Sequence, residues 1–496
     1  MPGGDIVPDG LCPYLPPQRQ DMIGVGFREP AGASRLKQRE LPMLEKLERF
    51  IAGFPADFAD IRYEVEKETT IVFSGKDLKE VTASTTDGYV VRVLKGGGFA
   101  TATVTRPEDV PRALGMALDG AETMVRAGGK KVRLAPVPVV HDTVKLDLKG
   151  DPRGKPLTEK IALTRSYNSF LGEQQNIATT TLTYSEVYRD KFYVNSEGTA
   201  VNEELLTTSI SGEAVARKGD LLQNIRVAVG GADGWNRLAG RESLFVERAK
   251  IAGSLLDAEP VRGGTWNVIL SPNLAGVFTH EAFGHFSEAD IIEDNPSLRA
   301  RMEIGEELGN SSVSIVADST LPSQLGYYRY DDEGVAVRRV QLMKAGVLVG
   351  RLHSRATAAA FDEPVSGHAV AEDHRYEPIV RMGTIFIEPG RKSFEDLLRD
   401  LGNGLYLVDG KGGQTAGENF TFGAQYGFLV ENGKLGGMIR DINIMGNLFT
   451  TLKSIVGVSD AFQLSERGGC GKGQTNIKSS LGGPHVLVTD MVVGGV

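Results

Sequence analysis

The sequence predicts an α+β fold of several domains, in which N-terminal α+β units precede a β-rich, barrel-like C-terminal domain with one embedded helix. A chain of 496 residues is longer than one ordinary hydrophobic core supports. With 41% hydrophobic and 24% charged residues, the composition is that of a globular protein. The 61 glycines favour many tight turns between strands over a bundle of long helices.

Shifts in composition and apolar pattern divide the chain into four segments. The first is a tail rich in proline and glycine, which we expect to be flexible. The expected boundaries are 1–37 for the tail, 38–130 for an N-terminal α+β domain, 131–262 for a middle α+β domain and 263–496 for the β-rich C-terminal domain.

Charge and cysteine content argue against several classes of protein. The formal net charge is -9, with a pI near 5.5, so the chain lacks the basic surface typical of proteins that bind nucleic acid or anionic membranes. We find neither a signal-peptide pattern nor about 18 consecutive apolar residues. Only Cys12 and Cys470 occur, which argues against a disulfide framework and favours the cytoplasm.

The N-terminal domain is expected to hold a helix, a meander of strands and a second helix. Apolar residues at helical spacing predict a helix over 41–50, and proline at a first-turn position begins another over 107–126. Between them, β-branched residues predict strands over 61–73 and 80–104, with turn signals at 75–77 and at Asp87-Gly88.

The middle domain begins after a proline-containing connector at 132–140. Its predicted helices cover 158–177 and 241–256. Alternating polar and apolar residues predict half-exposed strands at 179–189, 192–195 and 207–213, with a turn at 196–199.

The C-terminal domain is predicted to be mostly strands and turns. After a strand at 266–270, Ser271 and Pro272 form a strong helix start, with serine as the cap and proline at the first helical position. A further helix is predicted at 393–401, with Ser393 as its cap. The remaining strands are predicted at 313–317, 335–343, 347–352, 379–387, 406–408, 420–430 and 434–444.

The most informative stretch is Thr279-His280-Glu281-Ala282-Phe283-Gly284-His285-Phe286. In the common pattern H-E-x-x-H, the histidines lie about 40° apart around a helix and hold one zinc ion, while the glutamate acts as base. Here the pattern is H-E-x-x-x-H, which separates the two rings by about 140° in a regular helix. A π-bulge would bring both rings to one face. The alternative is a buried helix whose polar residues find ordinary hydrogen-bond partners.

A catalytic zinc site needs a third protein ligand. Cys470 is favoured because it lies in a glycine-crowded loop, where the backbone can approach an ion closely and neighbouring cations favour the thiolate. The alternative for a single cysteine is a small buried hydrophobe. The other candidates are Glu288, Asp290, Glu293, His353, His368, His374 and His485.

Three weaker patterns could contact a substrate. Arg375 or Arg381 could clamp a carboxylate or polarise a carbonyl, although a strand-end ion pair is the simpler interpretation. Gly412 and Gly413, together with Asn419 and Tyr426, could leave a sheet edge open for an extended peptide. The acidic run at 331–334 is interpreted as a solvated turn. The sequence contains no P-loop, no C-x-x-C and no G-x-S-x-G.

The combination of these motifs closely resembles the TldD/PmbA family, on the TldD side. It consists of His280-Glu281-x-x-x-His285, the acidic turn at 331–334, the strand at 378–382 and Cys470-Gly471-Lys472-x-Gln474. The resemblance implies a zinc peptidase with one Zn²⁺ per catalytic chain, held by the two histidines and the cysteine, with Glu281 as base. It also implies a homodimer, or a heterodimer with a TldE/PmbA-like paralogue, and a closed β-lined cavity that admits unfolded peptides.

Sequence and resemblance together predict a cytoplasmic metallopeptidase that hydrolyses unfolded polypeptides or small peptides and binds neither nucleic acid nor membranes. One alternative is a non-catalytic regulatory or scaffold subunit of the gyrase-modulator type. Another keeps the chemistry but changes the task to maturation of a peptide natural product.

Overall fold

The computed structural model describes residues 41–148, 150–475 and 477–495. The expected flexible tail at 1–37 lies outside these residues. The helices are α1 (Met43–Ile51), α2 (Val110–Arg126), α3 (Leu157–Gly172), α4 (Glu242–Leu255), α5 (Pro272–Phe278), α6 (Ala289–Glu293), α7 (Pro296–Arg301), α8 (Arg355–Phe361), α9 (Phe394–Leu401) and α10 (Leu448–Lys453).

The strands are β1 (Phe58–Ser74), β2 (Asp77–Lys95), β3 (Gly98–Val104), β4 (His141–Val144), β5 (Ile177–Asn195), β6 (Ala200–Lys218), β7 (Leu221–Gly231), β8 (Glu259–Pro260), β9 (Gly264–Leu270), β10 (Ile315–Ala317), β11 (Val340–Lys344), β12 (Val347–Leu348), β13 (Ala369–Val370), β14 (Ile379–Val380), β15 (Thr384–Ile387), β16 (Gly404–Ala416), β17 (Asn419–Glu431), β18 (Lys434–Arg440), β19 (Ile442–Asn447), β20 (Ile455–Leu464) and β21 (Ser480–Gly494).

The first sheet has seven strands in the order β3-β2-β1-β5-β6-β4, with β7 also paired to β6. Its long central pair, β1 and β5, runs antiparallel from Asp60 opposite Asn195 to Ser74 opposite Thr181. Helices α1 and α2 share one apolar core with β1 and β2, whereas α3 and α4 share another with β5, β6 and β7. Strands from both predicted N-terminal units therefore join in one sheet, and the division into domains stays a prediction.

The second sheet has twelve strands, five of which pair in a closed ring. Around this ring, β21 pairs with β9, β9 with β16, β16 with β17, β17 with β19, and β19 with β21 again. Buried side chains of α5 belong to the core of this sheet. The expectation of an α+β fold with a barrel-like C-terminal part is confirmed.

Several predicted element boundaries are wrong. Asp87-Gly88 is not a turn, because both residues lie inside β2 and pair with β1 opposite Val65 and Glu64. Strands β7, β20 and β21 are missing from the prediction. None of the helices in the described part of the chain is long and apolar enough to cross a membrane.

The acidic turn at 331–334 is buried, which corrects the expectation of a solvated turn. The Asp332 carboxylate lies 3.0 Å from Lys191 Nζ and 3.4 Å from an Arg62 guanidinium nitrogen. Glu333 is paired with Arg92 at 3.0 Å. Cations from the strands of the first sheet compensate the burial of Asp332 and Glu333, whereas Asp331 accepts backbone N–H groups of Glu333, Val335 and Ala369.

Candidate metal centre

A well-capped buried helix leads into the centre. The Ser271 hydroxyl accepts the Leu274 N–H at 3.5 Å, and Pro272 occupies the first turn, so α5 begins where the sequence predicts. The Phe278 ring packs edge-to-face on Phe420 at a centroid distance of 5.5 Å. This packing fixes the end of α5, from which the chain continues directly into the histidine motif.

The predicted distortion of the histidine segment is confirmed. Residues Thr279–Gly284 form a π-helical turn, and the His285 N–H donates to the His280 carbonyl five residues earlier. The two imidazole rings consequently lie side by side in an edge-to-face arrangement, with centroids 5.0 Å apart and planes at 83°. Gly284 is required by close packing, because a Cβ there would lie 2.1 Å from Met382 Sδ.

The Cys470 loop approaches the two histidines from the far end of the chain. Cys470 Sγ lies 3.4 Å from His285 Nε2, and one ligand atom from each of His280, His285 and Cys470 lies within 4.8 Å of the others. Among the described residues, this is the one group of three or more potential ligands that is close enough to hold an ion. A pair of backbone hydrogen bonds with Ile477, at 3.0 and 3.2 Å, holds Cys470 in place.

The donor set and its surroundings fit zinc. Imidazole nitrogen and thiolate sulfur are both zinc ligands, catalytic zinc takes three protein ligands, and a zinc-binding histidine commonly donates its second N–H to a carboxylate. His285 Nδ1 lies 3.1 Å from Glu288 Oε2, which leaves Nε2 facing Cys470. His280 Nδ1 is buried and finds no hydrogen-bond partner in the described part of the chain. Their roles as zinc ligands stay a prediction.

Two ligand side chains have strongly shifted pKa values. Burial acts to raise the pKa of the Cys470 thiol, but hydrogen bonds from His280 and His285 and their charges lower it to about 5. For His285, burial acts to lower the pKa, while the hydrogen bonds to Cys470 and Glu288 raise it to about 10. The pair therefore favours a thiolate beside an imidazolium, and ion binding must displace the imidazolium proton.

Glu288, considered above as a third ligand, lies behind His285 instead. It is fully buried, its Oε1 accepts the Met382 N–H at 3.2 Å, and Lys472 Nζ is 3.1 Å from its Oε2. Burial alone would raise the pKa of Glu288, but the hydrogen bond from His285 and the charges of Lys472 and Arg381 hold it at about 2. The ionised carboxylate fixes the orientation of the His285 ring.

Lys472 ties the Cys470 loop to the helix segment after the histidines, a role that the sequence analysis did not predict, although it counted the cations near Cys470 as favouring the thiolate. Its Nζ lies 2.8 Å from an Asp290 carboxylate oxygen and donates to the Val380 carbonyl at 2.7 Å. Two residues later, Gln474 Nε2 donates to the Glu377 carbonyl at 2.8 Å. A lysine two residues after a candidate ligand is the only sequence signal of this tether.

Glu281 lies half-buried beneath β16. The Thr415 hydroxyl donates to the Glu281 carbonyl at 2.6 Å and lies 3.5 Å from the Glu281 carboxylate. A Cβ on Gly413 would lie 3.1 Å from Glu281 Cγ, so the strand passes close above the side chain. The neighbouring Gly412 has φ +109°, at a β-bulge in the pairing with β17. The sequence analysis did not identify Thr415, because a threonine in a strand carries no distinctive signal.

The other predicted substrate residues occupy different environments. Arg375 is exposed and paired with Asp373, whereas Arg381 is fully buried with its Nε 3.8 Å from Glu288 Oε1. Asn419 lies opposite Ala416 at the end of the β16–β17 hairpin, and Tyr426 packs edge-to-face on Phe428. Substrate contacts by Arg375, Arg381, Gly412, Gly413, Asn419 and Tyr426 stay predictions.

Four of the other histidines considered as ligands lie outside the cluster. His353 bonds to Glu363 at 3.0 Å, His368 lies 2.9 Å from the Ser366 carbonyl, and His485 lies 3.2 Å from the Tyr406 hydroxyl. His374 Nδ1 is buried and has no hydrogen-bond partner among the described residues.

Three family models match successive parts of the chain. They are described as PmbA/TldA metallopeptidase domain 1 at residues 59–125, the central domain at 150–255 and the C-terminal domain at 263–495. A metalloprotease of Synechocystis is 35% identical, covering 89% of this chain and 95% of its own. A zinc metalloprotease TldD homolog of Saccharolobus solfataricus is 32% identical, covering 89% and 97%.

Solved structures share the fold at low sequence identity. A putative modulator of DNA gyrase from Thermotoga maritima matches with a TM-score of 0.75 and 21% identity, over 91% of this chain and all of that chain. TldE from Thermococcus kodakarensis matches with a TM-score of 0.72 and 18% identity, over 92% and 100%. At these identities the likeness supports the fold alone.

Proposed function

Because the chain belongs to the PmbA/TldD metallopeptidase family, we propose that it is a zinc-dependent peptidase acting on unfolded polypeptides or small peptides. His280, His285 and Cys470 hold the zinc ion, and Glu281 is the general base and acid. The observation that supports this most is the convergence of two imidazoles and one thiol within 4.8 Å, with Glu281 adjacent in sequence.

Zinc in this site would supply a Lewis acid for the scissile carbonyl and would lower the pKa of water. The surrounding residues set the protonation states of His285 and Cys470. Glu288 accepts the Nδ1–H of His285, so Nε2 is the nitrogen that is free to bind a cation. With the Cys470 pKa at about 5, the third ligand is a thiolate at neutral pH.

Glu281 performs the proton transfers. It accepts a proton on a carboxylate oxygen from the attacking water and later donates it to the nitrogen of the leaving amine. The position of this carboxylate is limited by Gly413 above it and by the Thr415 hydroxyl beside it. Such positioning supports efficient proton transfer, because a misplacement of about 1 Å can cost about 100-fold in rate.

We further propose that two chains enclose the site in a cavity, either as a homodimer or with a TldE/PmbA-like paralogue. The support is that this chain shares its fold with a TldE, so two chains of one fold can pair around a two-fold or pseudo-two-fold axis. A closed cavity would exclude folded proteins. The low cysteine content supports a reducing, cytoplasmic location.

The proposal is tested by comparing one protein substrate in folded and unfolded form. Zinc-loaded protein, with and without co-expressed paralogue, is incubated with a reduced, alkylated polypeptide and with its native counterpart. We expect cleavage of the unfolded form alone, loss of cleavage after zinc chelation, and recovery after zinc is returned. Equal cleavage before and after complete zinc removal would contradict the proposal.

Two alternatives concern the biological task. The structural likeness to a putative modulator of DNA gyrase is the observation behind a regulatory subunit. A purified protein that binds far less than one zinc ion per chain would favour that alternative. Maturation of a peptide natural product uses the same chemistry, and it would appear as cleavage of one precursor at a single bond rather than general degradation.

A further inference from the structure

Three cations beside the metal centre lack an acidic partner. They are Arg226 on β7, Lys411 on β16, and Arg467, three residues before Cys470. Among the described residues, none of the three lies within 4.0 Å of a carboxylate oxygen. A cation that is partly removed from water and has no acidic partner destabilises the protein unless an anion binds beside it.

Arg226 and Lys411 adjoin the strand segment that passes over Glu281. The Arg226 guanidinium donates to the Lys411 carbonyl, and its Nη1 lies 3.9 Å from the position of a Cβ on Gly412. The following residue, Gly413, packs against Glu281. The two cations therefore lie close to the candidate base Glu281, separated from it by the backbone of this strand segment.

Arg467 approaches Arg226 from the residues before Cys470. Arg226 and Arg467 both line a cavity of about 220 Å³ bordered by β7, α4, β16 and the residues before Cys470. The Arg467 backbone N–H is held by the Ser465 hydroxyl at 3.1 Å, but the residue is exposed and its guanidinium has no hydrogen-bond partner among the described residues. This guanidinium is available to a ligand.

The acids around the cavity are already neutralised by other cations. The Asp409 carboxylate lies 2.6 Å from Arg248, and that of Glu466 lies 2.9 Å from Arg241. Asp441, near Lys411, is paired with Arg440. The charge of Glu213 also acts on Arg467, although the Glu213 carboxylate accepts a hydrogen bond from Asn224 and pairs with none of the three cations. The positive charge of Arg226, Lys411 and Arg467 is consequently only partly offset locally.

The pKa shifts of Arg467 and Lys411 agree with an excess of positive charge at this place. Although Arg467 reaches solvent, the partial enclosure of its side chain lowers its pKa, and the charge of Arg226 lowers the pKa further, whereas the charge of Glu213 acts to raise it. Burial also lowers the pKa of Lys411, and the charge of Arg226 acts in the same direction. Each cation thus lies in a place where a bound anion would relieve repulsion.

We propose that Arg226, Lys411 and Arg467 form a carboxylate-binding subsite of the peptidase. It would select peptides that present a carboxylate, from the C-terminus or from an acidic side chain, on one side of the scissile bond. This inference rests on the proposed peptidase function, because it identifies the ligand as a peptide. An arginine fork matches a carboxylate in two parallel hydrogen bonds, and Lys411 would add a point charge.

The test measures binding separately from hydrolysis. Three fluorescent peptides of one sequence carry a C-terminal acid, a C-terminal amide, or the amide with one internal Gln replaced by Glu. Their affinities for the zinc-loaded Glu281→Gln protein are measured by anisotropy. We expect the acid, or the internal-Glu peptide, to bind about tenfold more tightly than the plain amide at low salt, because a charge-assisted hydrogen bond to the subsite is lost in the amide. Which of the two peptides gains identifies the source of the carboxylate.

Variants on the same background assign the preference to these residues. Arg467→Gln and Lys411→Met should each bring the carboxylate-to-amide ratio towards one while keeping the zinc content. The matched control is Arg112→Gln, which removes an exposed arginine of α2. The ratio should also fall with added salt.

Equal binding of all three peptides, or an unchanged carboxylate-to-amide ratio in the Arg467→Gln Lys411→Met double variant, would overturn the proposed subsite. Failure of the parent protein to hydrolyse any peptide would instead count against the proposed function.

Discussion

Glu281 depends on the absence of a side chain at Gly413. A methyl group there would lie 3.1 Å from Glu281 Cγ and 2.9 Å from Phe422 Cβ, which is closer than ordinary packing allows. The sequence suggested Gly413 as a substrate contact at an open sheet edge. The structure supplies a further reason for glycine, namely clearance for the candidate base.

We therefore predict that Gly413→Ala reduces turnover about 100-fold while the zinc content stays unchanged, because the base is displaced and the ligands are not. The measurement is kcat on an unstructured peptide, with zinc determined in parallel. The control is Gly437→Ala, since a Cβ at Gly437 meets nothing within 4 Å. If Gly413→Ala turned over at the parent rate, the clearance argument would be wrong.

Cys470 is the ligand supplied from outside the histidine motif. We predict that Cys470→Ala loses zinc itself, because two imidazoles alone leave the site without its only anionic ligand. Metal analysis after dialysis measures this loss. Retention of one zinc ion per chain in the variant would exclude the thiolate as a ligand.

At the scale of elements, the metal centre joins a π-helical turn to a loop that is tethered by Lys472. Lys472 Nζ forms ion pairs with both Glu288 and Asp290, at 3.1 and 2.8 Å, and the residue lies two positions after Cys470. The loop and the helix are thus joined by charge as well as by the prospective metal ion.

Lys472→Met should weaken zinc binding about 10- to 100-fold, because it removes the tether, leaves Asp290 without its cation and removes one of the cations that act on Glu288. Competition with a fluorescent chelator gives the dissociation constant. Lys392→Met is the control, since Lys392 is 47% exposed and pairs with Asp400 away from the motif. An unchanged zinc affinity in Lys472→Met would show that the loop needs no tether.

The elements differ in how far the sequence predicts them. Ser271 and the spacing of His280 and His285 predict a capped helix followed by a distorted turn, because capping and helical geometry are local properties. The turn predicted at Asp87-Gly88 fails because pairing with β1 overrides local turn preference. Strand β21 is hidden by Gly482, Gly483 and Pro484, yet long-range pairing within the closed ring forms it.

Over the whole molecule, buried ion pairs join the first sheet to the acidic segment at 331–334, which lies in the sequence between the histidine motif and Cys470. Asp332 contacts Lys191 at 3.0 Å and Arg62 at 3.4 Å. Burial would raise the pKa of Asp332, but the charges of Lys191, Arg62 and Arg189 hold it well below its usual value. The composition could not predict this burial, because the partners lie more than 100 residues away in the sequence.

A depressed pKa in the folded state gives stability that is present above the ordinary value of 3.8 and is lost as the pH falls. We predict that Asp332→Asn destabilises the protein by about 3–5 kcal/mol at pH 7, since it leaves buried cations unpaired. The difference in the free energy of unfolding between the variant and the parent should become smaller below about pH 4. Urea unfolding at several pH values measures it, with the exposed Asp257→Asn as control. A pH-independent difference would contradict the assignment.

The central claim is that Glu281 transfers protons for a zinc ion held by His280, His285 and Cys470. The most direct test is the turnover of Glu281→Gln on an unstructured peptide, in protein shown to contain zinc at the parent level. The substitution keeps the shape and the ligands but removes the basic carboxylate. We predict full zinc content and a loss of kcat of about 100- to 10,000-fold. Cleavage at the parent rate by fully loaded Glu281→Gln protein would contradict the mechanism.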